Sequence, residues 1–235
     1  TEMFTKAYEG KYAVGAFNVN NMEIIQGIIE AAREEEAPVI LQVSAGARNY
    51  AKHIYLTKLV EGAVADAPDV PIALHLDHGD SFELCKACVD GGFTSVMIDG
   101  SKHPLKENIN LTKEVIKEAK KYGASVEAEI GRVGGSEDGS EKISAMYTDT
   151  QDAKTFYEET GVNALAIGIG NAHGVYKGSP NLNFDVLKDV DKNIDVPLVL
   201  HGGSGISDDD FRKCVTRGMR KINIATSTFM SVADS

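Results

Sequence analysis

The sequence predicts an α/β fold of the (β/α)₈ TIM-barrel type. Three observations predict it: about eight short apolar runs of strand length, amphipathic helical segments between them, and polar, chemically capable residues gathered where the runs end. Repeated βα units imply a parallel sheet with right-handed crossovers, and eight units in about 250 residues suit a closed barrel. An open doubly wound sheet is the runner-up, disfavoured because no dinucleotide-binding glycine fingerprint follows the first run. One domain over residues 1–235 is expected, since 43% hydrophobic and 25% charged residues suffice for one sizeable core.

The strands are read in order as Tyr12–Val19, Val39–Ser44, Ile72–Asp77, Ser95–Asp99, Ser125–Ile130, Ala164–Ile169, Leu198–His201 and Ile222–Thr226. Pro38, Pro71 and Pro197 each stand just ahead of a strand, where a missing N–H costs nothing to the sheet. Helical periodicity is clearest in Met22–Glu35, through Ile24, Ile25, Ile28 and Ile29, and in Leu105–Lys121, through Leu111, Val115, Ile116 and Ala119. Ser207 is placed to cap a helix whose first turn holds Asp208, Asp209 and Asp210. Only Ser227–Ser235 follow the last strand, fewer than the ~11 residues of an average helix, so the barrel is expected to be truncated after strand 8, its C-terminal helix incomplete.

Charge and composition exclude several function classes. A net charge of -11 argues against nucleic acid, whose phosphates demand a basic face. No apolar stretch approaches the ~20 residues that span a bilayer, and the first residues lack a signal-peptide pattern, so no membrane partner and a cytoplasmic location are expected. Three cysteines form no disulfide framework. Cys85 and Cys88, one turn apart in a helix with no second cysteine pair, read as packing residues and not as zinc or redox ligands.

In a (β/α)₈ barrel the active site lies at the carboxyl ends of the strands, so residues distant in sequence converge on one rim. Asp77 and His78 end strand 3, Asp99 ends strand 4, Glu129 lies near the end of strand 5, His173 follows strand 6 and His201 ends strand 7. A lone histidine in such a place is more often structural. Three at neighbouring strand ends describe a catalytic Zn²⁺ site with one open position. His75 shares a face with Asp77 and reads as an interior supporting residue, while His53 and His103 read as incidental. Gly202-Gly203-Ser204-Gly205 follows strand 7 and Asn223–Ser227 ends strand 8, where barrels commonly bind phosphate through loop and helix N–H groups. The segment from Gly131 to Gly139 reads as a surface loop, too glycine-rich and polar to pack, able to carry Glu137 to a bound substrate.

These residues resemble the class II, metal-dependent ketose-bisphosphate aldolases, which include fructose-bisphosphate and tagatose-bisphosphate aldolases. The segments that carry the resemblance are Val14–Asn18, Val70–Gly79, Val126–Gly131 with Gly134–Glu137, and the His173-Gly174 and His201-Gly202 pairs, so it runs over essentially the whole chain. It implies that His78, His173 and His201 bind the catalytic Zn²⁺, and that Asp99 and Glu129 hold a second divalent metal in some members. It further implies that Asp77 is the proton donor beside the metal and Glu137 the mobile-loop base. Asn18, Ser44, Gly174, Lys177, Gly202, Gly203, Ser204, Asn223, Ile224, Ala225 and Thr226 would contact substrate, with Na⁺ or K⁺ bound near the phosphate in some members. A small phosphorylated sugar as substrate and a homodimer or higher homo-oligomer follow from the same resemblance.

The implied reaction is reversible cleavage of fructose 1,6-bisphosphate to dihydroxyacetone phosphate and glyceraldehyde 3-phosphate, a lyase step of glycolysis and gluconeogenesis. Breaking the C3–C4 bond leaves an enediolate, whose charge a Lewis-acidic metal stabilises. A carboxylate must move the C4 hydroxyl proton. Ala225, in Asn-Ile-Ala-Thr, leans towards tagatose 1,6-bisphosphate; His173–Gly178 and Gly202–Gly205 lean towards the fructose isomer. Two rivals stand beside this. A class I aldolase would need a strand-end lysine; strand 6 has none, Lys221 stands at the wrong end of strand 8, and Lys102 is the only contender. A barrel lacking its C-terminal part would be a non-catalytic structural protein.

Overall fold

The computed structural model describes residues 2–135 and 144–233. Eight parallel strands close into a barrel: β1 Val14–Asn18, β2 Val39–Val43, β3 Ile72–Gly79, β4 Ser95–Ile98, β5 Ser125–Ile130, β6 Ala164–Ile167, β7 Leu198–Leu200 and β8 Met219–Ile224. Each strand pairs with the next in sequence, and β8 returns to β1 through Val14↔Lys221 and Ala16↔Asn223. Closure leaves no free sheet edge. Helices follow the strands around the outside, and several begin on a polar cap directly after a strand: Asn21 accepts from the Ile24 N–H, Ser44 from Ala47, Ser81 from Leu84 and Ser207 from Asp210. These caps stand around the C-terminal mouth and fix where each loop turns.

Because side chains alternate along a strand, one set fills the barrel and the other meets the helices. The outward set, including Leu41, Leu76, Val96, Ile98, Leu165 and Leu198, forms a continuous core with the inner faces of the helices. A separate inner cluster of Val14, Ala16, Ile40, Met97, Ala164, Ala166 and Val199 fills the lower barrel, where Phe4 and Ala7 of the helix Glu2–Gly10 pack against it. Further up, the same inward-facing positions carry Gln42, His75, Asp77, Glu127, His201, Lys221 and Asn223, all buried. Apolar packing holds the lower layer, and polar pairing holds the upper one.

The largest departure from the predicted elements is β8, which begins at Met219, three residues before the apolar run suggested. Lys221 therefore lies inside the strand, fully buried, rather than ahead of it. A helix, Thr226–Ala233, follows. No helix among the described residues is long and apolar enough to cross a membrane.

Candidate active site

The end of β3 is locally irregular, and the irregularity aims two reactive side chains the same way. Pairing with β4 slips between Leu76 and Gly79, and His78 adopts a left-handed φ of 46°. In a regular strand Asp77 and His78 would face opposite sides. An extra residue in the strand, with a positive φ at a non-glycine position, re-aims His78 towards the mouth.

Three imidazoles meet there. The ring of His78 lies 4.9 Å from that of His173 and 4.6 Å from that of His201, each pair edge to face. His78 Nε2 is 2.8 Å from His201 Nδ1, and one ring nitrogen of each of the three histidines falls within a 4.8 Å span. Burial, reinforced by the charges of His78 and His201, pushes His173 well below the usual histidine range, and burial likewise lowers His201. Neutral imidazoles are the form that binds a metal, so the donor set fits a divalent ion. His78, Asp99 and Glu129 form a second group within the same span. Asp99 accepts a bond from His78 Nδ1 at 3.0 Å, which orients the ring. Glu129 accepts from the Val133 N–H at 3.1 Å.

Asp77 lies beneath this cluster, 1% exposed. Its Oδ2 accepts from Asn18 at 2.9 Å and Gln42 at 3.0 Å, and its Oδ1 from Asn223 at 3.2 Å. Burial alone would raise its pKa, but the charges of His78, His201 and Lys221 outweigh burial and hold the carboxyl ionised.

The loops between these residues are braced by side chains to which the sequence drew no attention. Asn171, fully buried, accepts from the Ile169 N–H and donates to the His201 carbonyl, both at 2.9 Å. The Tyr176 hydroxyl accepts from the Ala172 N–H and donates to the Gly202 carbonyl, also at 2.9 Å, so it clamps the two His-Gly segments together. Gly134–Gly135 pairs with Ala172–His173, which corrects the expectation that this glycine-rich run does not pack. A Cβ on Gly135, at φ 92°, would come within 2.2 Å of the His173 carbonyl oxygen. Gly202 is similar: at φ 64° a Cβ would meet the Ala172 carbonyl oxygen at 2.1 Å.

Among the predicted substrate contacts, Asn18, Gly174, Gly202, Ser204, Asn223, Ala225 and Thr226 line one cleft together with Asp77 and His173. Gly203 lends its N–H to the Asn223 carbonyl. Ser44 caps a helix, Lys177 is exposed outside the cleft lining, and Ile224 lines an outer groove beside the helix Met22–Glu34. Glu137 lies outside the described residues.

The comparisons with known proteins point one way. The family model described as fructose-bisphosphate aldolase class-II matches residues 1–235. The chain belongs to the class II fructose-bisphosphate aldolase family. It is 47% identical over 234 residues to the fructose-bisphosphate aldolase of Staphylococcus aureus strain Mu50, covering 99% of this chain and 82% of that protein. The Geobacillus stearothermophilus fructose-bisphosphate aldolase is 46% identical over 227 residues, 96% of this chain and 79% of that one. Among solved structures, the YdjI aldolase of Escherichia coli K12 superposes with a TM-score of 0.88 at 36% identity, over 99% of this chain and 83% of its own.

Class II aldolases are metal-dependent lyases, and the imine alternative falls with that assignment. Lys221 is sealed inside the barrel against Glu127, and Lys102 is exposed in a turn. The cysteines are inert in the way expected of packing residues: burial pushes the Cys85 thiol up to about 12 and Cys88 to about 11, far from thiolate chemistry. His75 is an interior residue, bonded to Ser95 at 2.8 Å and pushed down to about 3 by burial and the neighbouring Lys221. His53 stacks on Phe93 and His103 is exposed beside Glu107. Glu127, two residues before Glu129, bonds a cluster histidine directly, accepting from His201 Nε2 at 2.9 Å.

Proposed function

We propose that this class II aldolase reversibly cleaves fructose 1,6-bisphosphate to dihydroxyacetone phosphate and glyceraldehyde 3-phosphate. The observation that carries the reading is the convergence of His78, His173 and His201, from three separate strand ends, directly above the ionised carboxylate of Asp77. The residues that would hold a zinc ion are these three histidines; Asp99 and Glu129 stand close enough for a second divalent ion. When bound there, zinc supplies Lewis-acid stabilisation of the negative charge left on the ketone fragment.

Asp77 takes the C4 hydroxyl proton in cleavage and returns it in condensation. Three amide donors, from Asn18, Gln42 and Asn223, keep its oxygens in place without offering a competing proton acceptor. Glu137 is assigned by its motif as the second base, exchanging the proton on the carbon that becomes the nucleophile. Gly174, Gly202, Ser204 and Thr226 cradle the phosphate of the ketone fragment, supported by their place on one cleft and the start of the helix Thr226–Ala233; a monovalent cation would sit beside it. A cytoplasmic location agrees with three free, buried cysteines, and a homo-oligomer with the exposed Tyr50, Ile54 and Tyr55 on adjoining helices.

Removing metal with EDTA should abolish cleavage of fructose 1,6-bisphosphate, and added Zn²⁺ should restore it. Full activity in the chelated protein would sink the metal reading. Measuring kcat/KM for the fructose and tagatose bisphosphates side by side tests substrate choice, with the fructose isomer expected to lead.

A further inference from the structure

From His201 of the imidazole cluster downwards the barrel encloses four ionisable side chains almost without exposure: His201 and Lys221 at 0%, Glu127 and His75 at 1%. Each touches the next. Lys221 Nζ lies 2.7 Å from Glu127 Oε2 and 3.2 Å from His75 Nε2. Glu127 Oε1 lies 2.9 Å from His201 Nε2, and His75 Nδ1 lies 2.8 Å from Ser95 Oγ.

An ammonium can only donate and an ionised carboxylate can only accept, so these two groups set the direction of every bond in the chain. Lys221 donates to His75 Nε2, which leaves the His75 proton on Nδ1, facing Ser95. Lys221 also donates to one oxygen of Glu127. The other oxygen accepts, and His201 must therefore carry its proton on Nε2. That leaves the lone pair on Nδ1, the nitrogen 2.8 Å from His78 Nε2. The Asn223 amide nitrogen, 3.2 Å and 3.4 Å from the two ring nitrogens of His201, is nearly equidistant and does not select between tautomers.

We propose that Glu127, anchored by Lys221, is a positioning residue of the metal centre: as an acceptor at His201 Nε2 it imposes the tautomer that leaves the Nδ1 lone pair for a metal. This rests on the metal-site reading above.

The variant Glu127→Gln tests this role. Lys221 can only donate, so it draws the amide oxygen of Gln towards itself and turns the amide NH₂ to His201. That NH₂ then donates to Nε2 and drives the His201 proton onto Nδ1, the wrong nitrogen. Zinc affinity, read by competition with a chelator, should fall roughly 10–100-fold. Adding Lys221→Met removes the fixed donor, lets the amide rotate its oxygen to His201, and should recover about tenfold or more of the loss. A double variant no better than Glu127→Gln would overturn the proposal, as would wild-type affinity in Glu127→Gln.

Imidazole ¹⁵N NMR of the wild-type protein after chelation gives a second readout that needs no variant to fold. The His201 proton is expected on Nε2; a proton on Nδ1 would overturn the proposal. If the wild-type protein fails to bind zinc at the three histidines, the metal-site reading fails instead, and the tautomer of His201 still reports on Glu127.

Discussion

The two mouths of the barrel differ in a way that reverses the usual guess about where function lies. At the N-terminal mouth, beneath the helix Glu2–Gly10, there is a cavity of about 630 Å³ lined by Phe4, Tyr12, Ile40 and Pro71, with His75 and Lys221 also on its wall. At the C-terminal mouth the cleft above Asp77 has about 20 Å³. The smaller one holds the converging polar groups, with His78 aimed among them by a left-handed φ of 46°. Volume alone does not locate chemistry. Convergence of groups that are costly to bury is the better guide.

The largest effect on turnover is expected at Asp77, on the floor of the C-terminal cleft. Asp77→Ala should lower kcat for fructose 1,6-bisphosphate cleavage by about 10²–10⁴-fold, the usual contribution of a positioned proton-transfer group, while zinc content stays at the wild-type level. Undiminished turnover would remove Asp77 from the reaction, and loss of zinc would mean that the carboxylate supports the cluster rather than the substrate.

A smaller effect is expected at Tyr176, which touches no reacting group in this reading. Tyr176→Phe removes the hydroxyl that joins Ala172 to Gly202 and leaves the Ala172 N–H without its partner, a loss of about 1–3 kcal/mol. Because His173 and His201 adjoin the two clamped residues, zinc affinity should fall by about tenfold as their spacing loosens. An unchanged affinity with lowered thermal stability would confine Tyr176 to holding the loops.

These expectations also show which parts of the molecule the sequence made legible. Strand number, order and most boundaries could be read because the outward-facing side chains are apolar and the prolines mark the strand starts. His78, His173 and His201 could be read because strand-end position alone brings them together in a barrel. The start of β8 could not: Arg220 and Lys221 look like loop residues until the barrel supplies a buried carboxylate for Lys221. Gln42, Asn171 and Tyr176 were hidden for a related reason. Their roles are hydrogen bonds across 35, 30 and 26 positions of sequence, and no local pattern encodes such partners. The left-handed turn at His78 was equally silent, since its sequence reads as an ordinary continuation of an apolar strand.

The smallest effect on activity is expected at the roomier mouth. Phe4 is 8% exposed and packs with Ala7 against the inner cluster that floors the barrel. Truncating it in Phe4→Ala should cost about 3 kcal/mol of stability, the lower end for a buried aromatic ring. For a chain of this size that lowers Tm by roughly 6–12 °C. Between Phe4 and Asp77 lies the packed inner cluster of Val14, Ala16, Ile40 and Val199, whose own side chains the variant leaves in place. Measured well below Tm, kcat/KM should therefore stay within about twofold of wild type, because 1.4 kcal/mol at the transition state would be needed for even a tenfold change. A large fall in kcat/KM with stability intact would show that the two mouths are coupled, and that the lower cavity belongs to the function after all.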